Sequence, residues 1–265
     1  MTRFLGSLTG MVLAAALLLP AQASAQGPAG VDQGSSVGAP ARSAEDTQGR
    51  KSLSPADAGD DKETARLLRL KAEQGDAEAQ FHLGGLYWLG QGVPKDEKEA
   101  VRWFRRAAAQ GNAKAQFNLG IASYLGEGTP KNDKEAAHWF RRAAEQGDAQ
   151  AQYNLGLAYF FGRGVPKNYK EAAHWLRRAA DQGDAQAQFN LGLSYAAGAG
   201  VPQNYVFAYQ WFNLAAAGND GEVAAKAARE RDELASHMTP EQIAKGQRLF
   251  RQFRPHSGDK APAPE

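Results

Sequence analysis

Gly90-Gln91-Gly92-Val93-Pro94-Lys95 places two glycines around one residue ahead of a lysine, and glycine-rich loops ending in lysine are one way to cradle phosphate. The segment returns as GEGTPK from Gly126, GRGVPK from Gly162 and GAGVPQ from Gly198, with Gln203 in place of the lysine the last time. A phosphate cradle follows a strand and ends in free backbone N–H groups at a helix start. Here each copy follows a helical pattern and spends one position on proline, which has no N–H. The glycines therefore read as turn residues, and no cofactor is expected.

His138 and His174 stand 36 residues apart in equivalent contexts and raise metal binding. Zinc needs ring nitrogens at about 2 Å and usually four ligands. Equivalent side chains on stacked helices lie roughly one helix diameter apart, about 10 Å. The two histidines read as solvated, and no metal site is expected. Arg105-Arg106, Arg141-Arg142 and Arg177-Arg178 could suit an anionic partner, but they close helical segments, where cations complement the dipole. Neither a Gly-x-Ser-x-Gly elbow nor a His-Glu-x-x-His motif occurs, and no residue is nominated as catalytic.

These residues are carried by a repeat. Gly75, Gly111, Gly147 and Gly183 recur every 36 residues, as do Leu83, Leu119, Leu155 and Leu191, and Trp103, Trp139, Trp175 and Trp211. Within a copy, AQFHLGGLYW and EAVRWFRRAA are apolar-periodic helical stretches on either side of the glycine-proline segment. Asp76, Asn112, Asp148 and Asp184 stand as N-caps of the first helix. Asp96, Asn132, Asn168 and Asn204 cap the second, with Glu99, Glu135 and Glu171 placed to complete capping boxes. On the second helix Ala100, Trp103, Phe104, Ala107 and Ala108 share one face, so the tryptophan row is expected at the centre of the core. A lone hairpin cannot bury that face, so neighbouring repeats must stack. DKETARLLRLKA, from Asp61 to Ala72, aligns with a second helix lacking its first, and two further helices follow from Gly221 and Pro240.

The ends differ. Residues 1–25 hold Arg3, an apolar core from Met11 to Leu19, Pro20 and the small residues Ala23-Ser24-Ala25, the pattern of a secretory signal peptide cleaved near Ala25. The apolar run is about half of the ~20 residues that span a bilayer. Removal of Arg3 lowers the formal charge from +2 to +1, which excludes a nucleic-acid footprint. The absence of cysteine excludes disulfides and thiolate metal sites. Residues 26–60 and 255–265 are poor in large apolar side chains and read as disordered linker and tail. The repeats are expected over 61–218, with a capping helix pair over 219–254.

The combination of A-Q-[FY]-N-L-G, G-x-G-[VT]-P, E-A and W-[FL]-R-R-A-A resembles the Sel1-like repeat, a relative of the tetratricopeptide repeat. In the second copy Ala115 to Gly120, Gly126 to Pro130, Glu135-Ala136 and Trp139 to Ala144 carry the likeness, which extends across about 61–253. The resemblance implies an all-α fold, a right-handed α-solenoid superhelix of stacked helix-turn-helix repeats. It also implies an interaction scaffold, often exported and concerned with the envelope, signalling or secretion. Cysteine-rich members described as β-lactamases or penicillin binders give the alternative of a cell-wall enzyme or peptidoglycan-binding accessory. This chain lacks their cysteines.

The remaining surface is the face of the first helices, which lines the concave side in related solenoids. His82, Leu89, Asn118, Leu125, Asn154, Phe161 and Asn190 are the expected partner-binding residues there, beside Ile121, Leu157 and Leu193. The partner is read as a protein or peptide, with no nucleic acid and no membrane anchor after cleavage. The asparagines either meet its backbone or hold adjacent repeats together. The protein is expected in the periplasm or outside the cell.

Overall fold

A computed structural model describes residues 55–255, with side chains from Asp61 onward. The expected signal peptide, most of the linker and nearly all of the tail lie outside the described residues. The chain forms α1 (Pro55–Glu73), α2 (Ala77–Leu89), α3 (Glu97–Ala109), α4 (Ala113–Leu125) and α5 (Asp133–Glu145). It continues with α6 (Ala149–Phe161), α7 (Tyr169–Asp181), α8 (Ala185–Ala197), α9 (Tyr205–Ala216), α10 (Gly221–Ala235) and α11 (Pro240–Gln252). No strand occurs among the described residues. Helix α1 starts at Pro55, inside the segment expected to be linker.

Two compact units divide between Gln146 and Gly147. In the first, α2 packs on α3 and α4 on α5, while α1 packs on α2 and α3 on α4. In the second, α6 through α9 repeat that order, and α10 and α11 both cover α9. Within each unit the helices pair as in an α-solenoid.

The glycine-proline segment explains the stacking. Gly90, Gly126, Gly162 and Gly198 end the first helices in the left-handed conformation. The second glycine also has positive φ, and at Gly92, Gly128 and Gly200 its backbone presses on α1, α3 and α7. A Cβ at Gly92 would meet Asp61 O at 2.1 Å, one at Gly128 Glu97 O at 2.1 Å, and one at Gly200 Tyr169 O at 1.9 Å. A motif spaced like a phosphate loop is thus a contact between repeats.

Asp76, Asn112, Asp148 and Asp184 accept from the backbone N–H of the residue three positions on, at 2.7–2.9 Å. Asp96, Asn132, Asn168 and Asn204 do the same for α3, α5, α7 and α9 at 3.0–3.2 Å. The expected capping boxes close only halfway. The N–H of each of these four caps already donates to the preceding helix, at Tyr87 O, Ser123 O, Tyr159 O or Tyr195 O, at 2.7–2.9 Å. Glu99 instead pairs with Arg102 at 2.8 Å, and Glu135 with Arg105 at 3.4 Å. A complete capping box forms at Thr239 and Gln242 of α11.

Trp103, Trp175 and Trp211 are buried, as the packing face requires, whereas Trp139 is half-buried. Gly84, Gly120, Gly156 and Gly192 let the first helices sit close to Phe104, Phe140, Leu176 and Phe212.

Candidate protein-docking surface

In the first unit α2 carries His82 and Leu89, and α4 carries Asn118 and Leu125. Leu89 is 41% exposed and Leu125 half-buried, at equivalent ends of the two helices. Lys114 is exposed, with its Nζ 5.9 Å from the Phe81 ring centre. His82 Nε2 lies 3.3 Å from Glu78 Oε1, its ring stands 5.1 Å from that of Phe81, and its Nδ1 is buried without a partner. Asn118 is buried, and its Nδ2 also lacks a partner.

In the second unit Asn154 Nδ2 donates to Gln150 O at 2.8 Å, which holds that amide along its own helix. Phe161 is half-buried, with its ring 5.0 Å from Phe160 and beneath the Arg163 guanidinium at 5.2 Å. Asn190 is buried and donates to Tyr153 Oη at 3.3 Å. Leu157 and Leu193, expected beside this row, are core residues. Within each unit the row therefore divides into surface side chains and side chains that lie under the surface.

Glutamines form a second pattern. Gln110 Nε2 donates to Gln80 Oε1 at 2.8 Å, and Gln80 Nε2 donates to Ala72 O at 2.9 Å, joining three successive helices through two amides. Gln146, Gln116 and Ala108 O repeat the relay at 2.7 and 3.1 Å, and Gln182 reaches Gln152 at 2.8 Å. The recurrence of both glutamine rows every 36 residues, 30 residues out of step with each other, was the available signal. Buried amides with matched partners hold register, since an unpaired one costs about 1–3 kcal/mol.

The residues with chemical promise are occupied structurally. Arg106, Arg142 and Arg178 lie over Trp103, Trp139 and Trp175 at 4.5, 5.7 and 5.1 Å. Arg105 reaches Glu135 at 3.4 Å, and Arg177 donates to Tyr195 Oη at 2.9 Å. His138 and His174 are exposed, each edge-on to the adjacent tryptophan. Among the described residues, no three metal-ligating side chains cluster. Burial raises the carboxyl of Asp184 to about 6, against hydrogen bonds from the N–H groups of Ala187 and Gln186 that lower it. Burial likewise raises the Tyr153 phenol.

The Sel1 repeat model matches residues 77–112, 113–148, 149–184 and 185–220. Comparison with curated proteins finds no match. Among solved structures, a protective antigen present in uropathogenic Escherichia coli strains, displaying an SLR fold, is 37% identical with a TM-score of 0.64 over 71% of this chain. A Sel1 repeat protein from Oxalobacter formigenes is 35% identical with a TM-score of 0.58 over 64% of this chain. The chain matches 40% and 49% of the lengths of those two proteins. Among the described residues, no helix is long and apolar enough to cross a membrane. Sel1 repeats generally mediate protein–protein interaction, without catalysis. Four matched repeats cover more than half of the 265 residues, so the chain belongs to the Sel1 repeat family.

Proposed function

We propose that the protein is exported and serves the bacterial envelope as a non-enzymatic adaptor, holding a protein partner against the first-helix surface of its repeats. The supporting observation is the pair Leu89 and Leu125. Each ends a first helix of the first unit at the same register, and Leu89 leaves 41% of its surface in water. Apolar side chains recurring one repeat apart are the anchors such a docking patch would use, and Lys114 and Glu78 are exposed toward the other ends of the same two helices. Export rests on the leader pattern in residues 1–25.

A photo-cross-linking residue placed at Leu89 or Leu125, in the native host, should capture the same partner, and one at exposed Lys98 should not. Leu89→Glu with Leu125→Glu should abolish that capture while the far-ultraviolet circular dichroism and melting curve stay unchanged. Equal capture from all three positions, or by the double variant, removes this surface from consideration. The exported chain should have the mass of a protein beginning at Gln26. Hydrolysis of a chromogenic β-lactam, lost on one substitution that spares the fold, would replace the adaptor with the enzyme alternative.

A further inference from the structure

The last helix, α11, is seated firmly in the second unit. Gly246 rests on Tyr209, where a Cβ would come within 2.8 Å of the ring. Phe253 stands edge-on to Trp211 at 5.5 Å, and Ile243 packs on the terminal core. The opposite side of the helix carries Lys245, Arg248 and Arg251, all exposed and three residues apart. At 1.5 Å of rise per residue their charges advance in steps of about 4.5 Å along one ridge.

Several arginines of the repeats are compensated, unlike these. There, Arg102 and Arg177 pair with carboxylates, and Arg106 and Arg178 lie over tryptophan rings. Lys245, Arg248 and Arg251 have no carboxylate within 4.0 Å among the described residues. They are held at fixed spacing by their helix, and the one carboxylate of that helix, Glu241, stands a turn before Lys245.

We propose that the outer face of α11 docks an acidic polypeptide segment, separately from the first-helix surface. A helix with carboxylates three and four residues apart presents the complementary step. Two features favour a patterned polypeptide over a uniform anionic surface such as a membrane or a polysaccharide. Glu241 begins the same helix and is exposed, and hydrogen bonds from its own backbone and from Thr239 lower its pKa. A uniform negative surface would be repelled there, whereas a polypeptide can place a donor opposite it. The ridge itself, with Gln247 and Gln252 beside it, offers no large apolar side chain for insertion into lipid.

The test uses the full mature chain and a fluorescent alanine-based helical peptide carrying glutamate at every third position, followed by anisotropy at low ionic strength. The expected result is saturable binding at least tenfold tighter than that of the Lys245→Gln, Arg248→Gln, Arg251→Gln variant, and loss of binding as salt rises. The Lys245→Glu, Arg248→Glu, Arg251→Glu variant should instead bind the same peptide with lysine in place of glutamate. That reciprocal gain cannot come from an unfolded helix. Equal binding by wild type and the glutamine variant overturns the proposal. So does binding to phosphatidylglycerol vesicles or heparin at least as tight as to the peptide.

Discussion

The phenolic oxygen of Tyr153 and the amide nitrogen of Asn190 lie 3.3 Å apart, joining two buried side chains from successive first helices. One repeat register places Phe81 and Asn118 in the same relation in the first unit, and phenylalanine has no hydroxyl. Asn118 Nδ2 is accordingly buried with no partner.

Phe81→Tyr should supply the missing acceptor and stabilise the protein by about 1 kcal/mol, the usual net worth of such a bond. The reverse change, Tyr153→Phe, should cost about 1–3 kcal/mol because it leaves the Asn190 amide unsatisfied. Urea unfolding of both variants measures the pair of signs. A destabilised Phe81→Tyr would mean that the site cannot hold the hydroxyl.

Asp184 gives a pH dependence of defined sign. Its carboxyl is raised from 3.8 to about 6, chiefly by burial and further by the neighbouring caps Asp220 and Asp148. The folded state therefore binds a proton that the unfolded state has lost, so this contribution to stability is present below pH 3.8 and disappears as pH rises through about 6. Asp184→Asn keeps a capping oxygen, as Asn112 does for α4 at 2.9 Å. The variant should be about 1 kcal/mol more stable than wild type at pH 7.5, with the advantage shrinking below pH 5. Denaturant midpoints compared from pH 4 to 8 isolate the effect from other carboxylates.

The period, the helix pairs and the N-caps were legible because each depends on residue type at a fixed spacing. The faces of the first helices were less legible. A segment such as AQYNLGLAYFF is apolar on several sides because α6, like its counterparts, lies in a crowded layer, so periodicity alone does not separate Leu157 in the core from Phe161 at its edge. The second helices, with EAVRWFRRAA, have one dry side that their periodicity shows, although Trp139 is only partly buried. The glutamate side of the capping boxes is not legible locally, because the competing acceptor for each cap N–H lies in the preceding helix, about nine residues earlier.

Gly111 and Gly128 separate conformational strain from collision. Both have positive φ, 93° and 66°, but a Cβ at Gly111 meets nothing within 4 Å, while one at Gly128 meets Glu97 O at 2.1 Å and Val101 Cγ2 at 2.9 Å. Gly111→Ala should cost about 1–2 kcal/mol for the left-handed backbone alone. Gly128→Ala should cost at least about 2 kcal/mol more, since backbone must move to admit the methyl group. Equal denaturation midpoints for the two variants would show that the second glycine of the repeated segment serves the turn and not the contact.

Trp211 and Trp139 occupy the same place in the repeat, and their cavities should differ. Trp211 is 2% exposed, packed edge-on to Phe253, with the Arg177 guanidinium over its ring at 5.2 Å. Trp139 is half-buried, so part of its ring already meets solvent in the folded state. Trp211→Ala should cost about 3–5 kcal/mol, the range for a large aromatic removed from a packed core. Trp139→Ala should cost about half as much, because less apolar surface returns to water and its site is open to solvent. Guanidinium unfolding of the two variants makes the comparison. Equal losses would show that Trp139 is as fully packed as its counterpart.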